Sequence, residues 1–202
     1  MKKEQVNELL LQTLETELGG VQVYENAVQC AINGDLRKEW EECLRQTQNH
    51  VKIVRSVFEK LGLDPEQETP GRKVVRHVGE SLVKAIRMAQ DAGNPDAAQL
   101  VAAECVIFAE TKDHLNWELI GQVAEESDGK KAEVLKAAYD EVEDEKDEHL
   151  YHTTDWCREL WIKSLGDAGG ASASRGGKGS EDGHRPRSSQ AVPRGDALSA
   201  GS

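Results

Sequence analysis

The chain has 202 residues, with 4% aromatics and 37 acidic against 25 basic residues, a formal net charge of −12. The length suits one domain with a core of ordinary size, and a composition rich in Glu, Lys, Ala and Leu favours helices over sheets. The surplus of acid argues against nucleic acid or an anionic membrane as a partner on charge alone.

The N-terminal "MKKEQVNELLLQTLETE" lacks the layout of a signal peptide. No apolar stretch approaches the ~20 residues needed to span a bilayer. Cys30, Cys43, Cys105 and Cys157 are scattered with no CxxC pair. They read as small buried thiols of a reducing compartment, so a cytoplasmic location is expected.

In chain order, a first helix is predicted over about 4–33, broken by "INGDL" at 32–36. A second follows over about 35–61 and ends in "LGLDPEQETPG". A shorter amphipathic helix is predicted over about 72–91, with Val74, Val75, Val78, Leu82 and Ile86 on its buried side. One face of it carries the basic cluster Arg72, Lys73, Arg76, Lys84 and Arg87. "AGNPD" supplies Asn94 as N-cap and Pro95 as first residue of a helix over about 95–126. The turn "ESDG" precedes a last helix over about 130–165. From Gly166 the chain holds half of its 18 glycines and almost no large apolar residue. That segment cannot offset the entropy of ordering, so residues 166–202 are expected to form a disordered Gly/Ser/Ala/Arg tail. The predicted fold of 1–165 is all-α: two antiparallel helical hairpins joined by a long crossover, a four-helix bundle. No short-period repeat supports a solenoid.

The buried stripe of each long helix recurs at steps of three and four. It runs through Leu10, Leu14, Glu17, Val21, Tyr24, Val28 and Ala31 on the first helix. On the second it takes Cys43, Thr47, His50, Val54, Val57 and Leu61. On the fourth it takes Leu100, Ala103, Ile107, Glu110, His114, Trp117 and Gly121. On the last it takes Leu135, Ala138, Val142, Glu145, His149, His152, Trp156 and Leu160. Each stripe is apolar at its ends and polar at its middle. Glu17 and His50 lie almost symmetrically about the Gly34 turn, as do Glu110 and Glu145 about the Asp128–Gly129 turn.

Three buried carboxylates facing one another repel unless protonated or neutralised. A divalent metal pair neutralises them well, and Glu with His is its usual ligand set in a bundle core. The candidate metal ligands are therefore Glu17, His50, Glu110, His114, Glu145 and His149, with Tyr24, Thr47 and His152 around them. A hydrogen-bonded Glu/His network without metal is the alternative, as is a helix phase that leaves some of these residues in water.

These stripes resemble the ferritin-like superfamily, of the rubrerythrin and bacterioferritin type, over roughly 4–165. Glu17 with Tyr24–Glu25 repeats as Glu110 with Trp117–Glu118, an echo between halves of the kind that superfamily shows. The resemblance implies a Glu on the first and third long helices and Glu-x-x-His on the second and fourth. It implies two irons or manganeses and reaction with O2 or peroxide, a ferroxidase-like or oxidoreductase activity; iron is the expected metal, with manganese or zinc as alternatives. Thr47 and Lys146 stand where the two Glu-x-x-His glutamates would be, and His114 is additional. One or two metal ions are expected, in a monomer or homodimer. The reading from a different class is a metal-free bundle acting as a stress, structural or interaction protein. A hemerythrin-like oxygen carrier would need a longer run of histidines than this chain has.

Overall fold

The computed structural model describes residues 2–167, all of them within one unit of the chain. Apart from Gly166 and Asp167, which complete the last helix, the expected tail lies outside the described residues. Five helices occur in the order α1 (Lys3–Cys30), α2 (Gly34–Leu61), α3 (Pro70–Asp91), α4 (Pro95–Glu125) and α5 (Gly129–Asp167).

Local chemistry sets these boundaries. Asn33, Thr69 and Asn94 cap α2, α3 and α4, their side chains accepting from backbone N–H groups of the first turn. Such a cap satisfies donors that the helix itself cannot. Pro70 and Pro95 follow directly, their fixed φ suited to a helix start. Gly62 ends α2 at φ 65°, a left-handed conformation that costs a glycine little.

α1 packs on α2, α3 and α4, while α5 packs on α4 and α2. The four long helices thus form a ring in the order α1, α2, α5, α4, and α3 lies outside it against α1 and α4. At the α1–α3 crossing a Cβ on Gly79 would stand 3.4 Å from the Cα of Gly19, so two glycines permit the close approach.

Two apolar clusters fill the ring. One gathers Val23, Leu36, Trp40, Ile86, Ala102 and Val106. The other gathers Leu10, Leu14, Phe58, Ile120, Leu135 and Val142. All four cysteines are buried free thiols. Among the described residues no helix is long and apolar enough to cross a membrane. One expectation for α3 fails: Val74 and Val78 are 63% and 51% exposed, because α3 turns only Arg72, Val83 and Ile86 fully inward.

Candidate functional site: a charged chamber in the bundle core

Between the two apolar clusters lies a layer of polar side chains from all four long helices. Glu17, His50, Glu110 and His149 are each at most 3% exposed. They pair across helices: Glu17 Oε1 lies 3.6 Å from His50 Nδ1, and Glu110 Oε1 lies 3.5 Å from His149 Nδ1. The two imidazole centroids are 6.0 Å apart.

The internal echo of the sequence has a structural counterpart. Tyr24 of α1 donates its hydroxyl to Glu110 Oε1 on α4 at 2.8 Å. Trp117 of α4 donates its indole N–H to Glu17 Oε1 on α1 at 2.7 Å. The residue seven after each glutamate therefore serves the glutamate of the other half. Thr47 is buried beside them, but its hydroxyl donates to Cys43 O in its own helix.

Three of the expected residues do not join this layer. His114 is turned outward and its Nε2 meets Asp147 Oδ1 at 2.8 Å. Glu145 is one-third exposed and reaches His50 Nε2 from the outer side at 2.6 Å. His152 is 58% exposed, with Nδ1 3.4 Å from Glu39 Oε1. The cause is one step in each stripe. After Glu110 the buried face moves by three to Asp113, not by four to His114. After Val142 it moves by four to Lys146, not by three to Glu145. It continues through His149, Thr153 and Cys157 rather than His152 and Trp156.

The two residues so missed pair with each other. The Lys146 ammonium contacts Asp113 Oδ2 and stands 3.7 Å from both Glu17 Oε2 and Glu110 Oε2. Lys146 is 1% exposed and Asp113 4%. The signal that could have found them is charge: a buried layer must nearly cancel, and the step to Lys146 supplies a cation where the step to Glu145 adds a further acid.

The electrostatics follow from that cation. Burial opposes the Lys146 charge, but Asp113, Glu110 and Glu17 outweigh it and hold the ammonium protonated well above the usual lysine range. Burial likewise pushes Glu110 up, yet Lys146, His149 and the Tyr24 hydroxyl hold it ionised below the usual carboxylate range. Glu17 goes the other way: burial, with Asp113 and Glu110 adding repulsion, raises it well above that range. Burial, Lys146 and His149 depress His50 to about 2, so its ring is neutral. With Nε2–H donating to Glu145, His50 presents the lone pair of Nδ1 to the chamber.

A metal pair fits this donor set poorly. The glutamate/imidazole pairs are in place, and Glu17 Oε2, Glu110 Oε2, His50 Nδ1 and His149 Nδ1 lack hydrogen-bond partners. Yet the space among the carboxylates is occupied by a lysine ammonium. A dication about 4 Å from it would meet ~8 kcal/mol of repulsion at an effective dielectric of about 20. Among the described residues no group of three or more His, Cys, Asp or Glu side chains is arranged to hold a metal ion.

No protein-family model matches the chain, and no curated protein matches it. Among solved structures it is similar to the E. coli stress protein YciF, with a TM-score of 0.65 at 15% sequence identity. The match covers 81% of this chain and 99% of that one. At this identity the likeness concerns architecture, and it shows the chain to have an all-α, ferritin-like bundle fold.

Proposed function

We propose that this chain is a stress-associated ferritin-like bundle protein whose core charge is balanced by its own Lys146 rather than by a resident metal pair. The observation that carries the reading is the placement of the Lys146 ammonium among Glu17, Glu110 and Asp113, the role a metal pair would have. The likeness to a solved stress protein supports the first half of it. In this reading the chamber sets the register of the four helices. Opposite charges on α4 and α5 meet at one height, and Tyr24 and Trp117 tie α1 to α4 across it.

The second reading is binding of a single iron, manganese or zinc ion, with O2 or peroxide chemistry supplied by that ion. It is favoured by the four inward-facing donor atoms that lack partners. Elemental analysis after anaerobic loading with Fe(II), Mn(II) or Zn(II) separates the two. The Lys146 reading expects less than about a tenth of an equivalent retained and an unchanged melting temperature, because a ligand held only by the native state must raise it. Retention near one equivalent that His149→Ala abolishes would establish the metal reading instead.

A further inference from the structure

A cleft of about 440 Å³ opens on the outer face of the bundle, between α1, α3 and α4. Its lining is mostly apolar and includes Val23, Val74, Val78, Leu82 and Phe108. Val74, Val78 and Phe108 are 63%, 51% and 66% exposed. The periodicity of α3 marks Val74 and Val78 for burial, and the fold leaves them uncovered. Scattered exposed apolar residues need no explanation, but three around one concavity of ligand size do.

The cleft has a polar end. Arg72 meets Glu15 and Gly79 meets Gly19, so α3 runs alongside α1 in the same direction. Asn116 meets Thr16 and Glu110 meets Tyr24, so α4 runs the other way. These pairings place Gln12 and Thr16 toward one end and Val23, Leu82 and Phe108 toward the other, and the Lys112 ammonium reaches the level of Thr16 through its contact with Asn116. Gln12 to Val23 spans about 16 Å of helix.

Lys112 is the distinctive group. Its ammonium donates to Asn116 Oδ1, a neutral amide, while the neighbouring Asp113 carboxylate acts on it only through its charge. Asn116 is fully buried and donates in turn to Thr16 Oγ1 at 3.0 Å. The cation is thus aimed by a neutral, fixed amide, in a protein where acids outnumber bases 37 to 25. A half-buried cation whose direct contact is an amide rather than a carboxylate is suited to an anionic group from outside.

We propose that this cleft binds a single-chain amphiphile with a carboxylate head, a fatty-acid-type ligand, its head on Lys112 and its chain along Val23, Leu82 and Phe108. The extended apolar walls select the chain, and Lys112 selects the sign of the head, because Glu15, the carboxylate of the lining, is engaged by Arg72 and Arg76. A second copy of the protein is the competing occupant of the same surface.

Calorimetric titration of the full chain with decanoate tests this, with decyltrimethylammonium as a probe of equal chain and opposite charge. Decanoate is expected to bind one per chain and at least about tenfold more tightly than the cation. Lys112→Gln is expected to weaken decanoate about tenfold and to leave the cationic probe bound at least as tightly as before. Val78→Asp, at an exposed position, is expected to abolish binding with the fold intact by circular dichroism. Ala109→Trp, which fills the cleft, should do the same and serves as a second blocking variant. Equal binding of both probes, or no effect of Lys112→Gln, overturns the proposal. So does absence of decanoate binding to a dimer that Val78→Asp converts to monomer, an outcome that gives the surface to a second copy.

Discussion

Lys146 carries its ammonium into a buried layer that holds the carboxyl groups of Glu17, Glu110 and Asp113. Burying an ammonium costs several kcal/mol, and burying the carboxylates around it costs as much for each ionised one. Neither is tolerable alone, which is why removing one partner of such a set is far more damaging than the net value of the set suggests. Lys146→Met keeps the volume and the apolar stem and deletes only the charge. It leaves Glu110 and Asp113 facing Glu17 without a cation. We expect it to destabilise the fold by about 3–5 kcal/mol at pH 7. The loss should shrink toward pH 4, because the stranded carboxylates can then take up protons. Over the same range the Lys146 group of the native chain stays charged: a lysine raised above its unfolded value loses its contribution only as pH rises through the folded value. Urea midpoints of the two proteins at pH 7 and pH 4.5 check this, and equal stability at pH 7 would show that the ammonium neutralises nothing.

At the scale of the element, α3 is fastened by charge at one end and by glycine contact at its middle. The Glu15 carboxylate of α1 accepts from Arg72 Nε at 2.7 Å, Arg76 Nε at 2.8 Å and Arg76 Nη2 at 2.9 Å. Arg72 is 3% exposed and also donates to Gln67 O, so the same guanidinium closes the α2–α3 connection. Burial raises Glu15, but Arg76 and Arg72 outweigh it and hold the carboxyl below its usual range. A carboxylate lowered in the folded state contributes stability above its unfolded value that is lost as pH falls through the folded one. Glu15→Gln is therefore expected to cost about 2–3 kcal/mol at pH 7. The cost should shrink as pH falls through the folded-state value, which lies below the usual carboxylate range, because the native carboxyl is then itself protonated. Amide exchange should quicken over Gly71–Val83 and stay unchanged in α4 and α5. Faster exchange throughout would mean that the bracket holds the whole bundle rather than α3. The elements themselves were legible in the chain. Asn33, Thr69 and Asn94 announce their helices, and the stripes of α1 and α2 keep their phase through Glu17 and His50 because apolar residues bracket them closely. On α4 and α5 both a step of three and a step of four were open at the polar centre. Periodicity could not choose between Asp113 and His114, or between Lys146 and Glu145. The choice depends on charge balance across two helices, which no single stripe contains. The exposed Val74 and Val78 were missed for a related reason: amphipathic spacing marks a face but not whether anything covers it.

Among the described residues the four long helices form a ring whose centre meets only when all four are in register. Thr47 on α2 and Lys146 on α5 each lie three residues before a chamber histidine, His50 and His149. They are the two positions that separate this donor set from the carboxylate-rich one implied by the ferritin-like resemblance. Changing both to glutamate, Thr47→Glu with Lys146→Glu, removes the internal cation and adds two anionic ligands between the existing glutamate/imidazole pairs. Without metal, five carboxyl groups then crowd a dry layer, so the apo variant should melt well below the native chain. With Fe(II), Mn(II) or Zn(II) supplied, the same crowding becomes affinity. Binding is linked to folding, and a hundredfold excess over Kd adds ~2.7 kcal/mol. We expect the double variant to retain about two equivalents and to regain melting temperature on loading, while Lys146→Glu alone binds less than about one. Elemental analysis and thermal melts with and without chelator read both quantities. Failure of the loaded double variant to recover stability, despite helical content by circular dichroism, would mean that the spacing of the four helices, and not the lysine, decides whether this core can hold a metal pair.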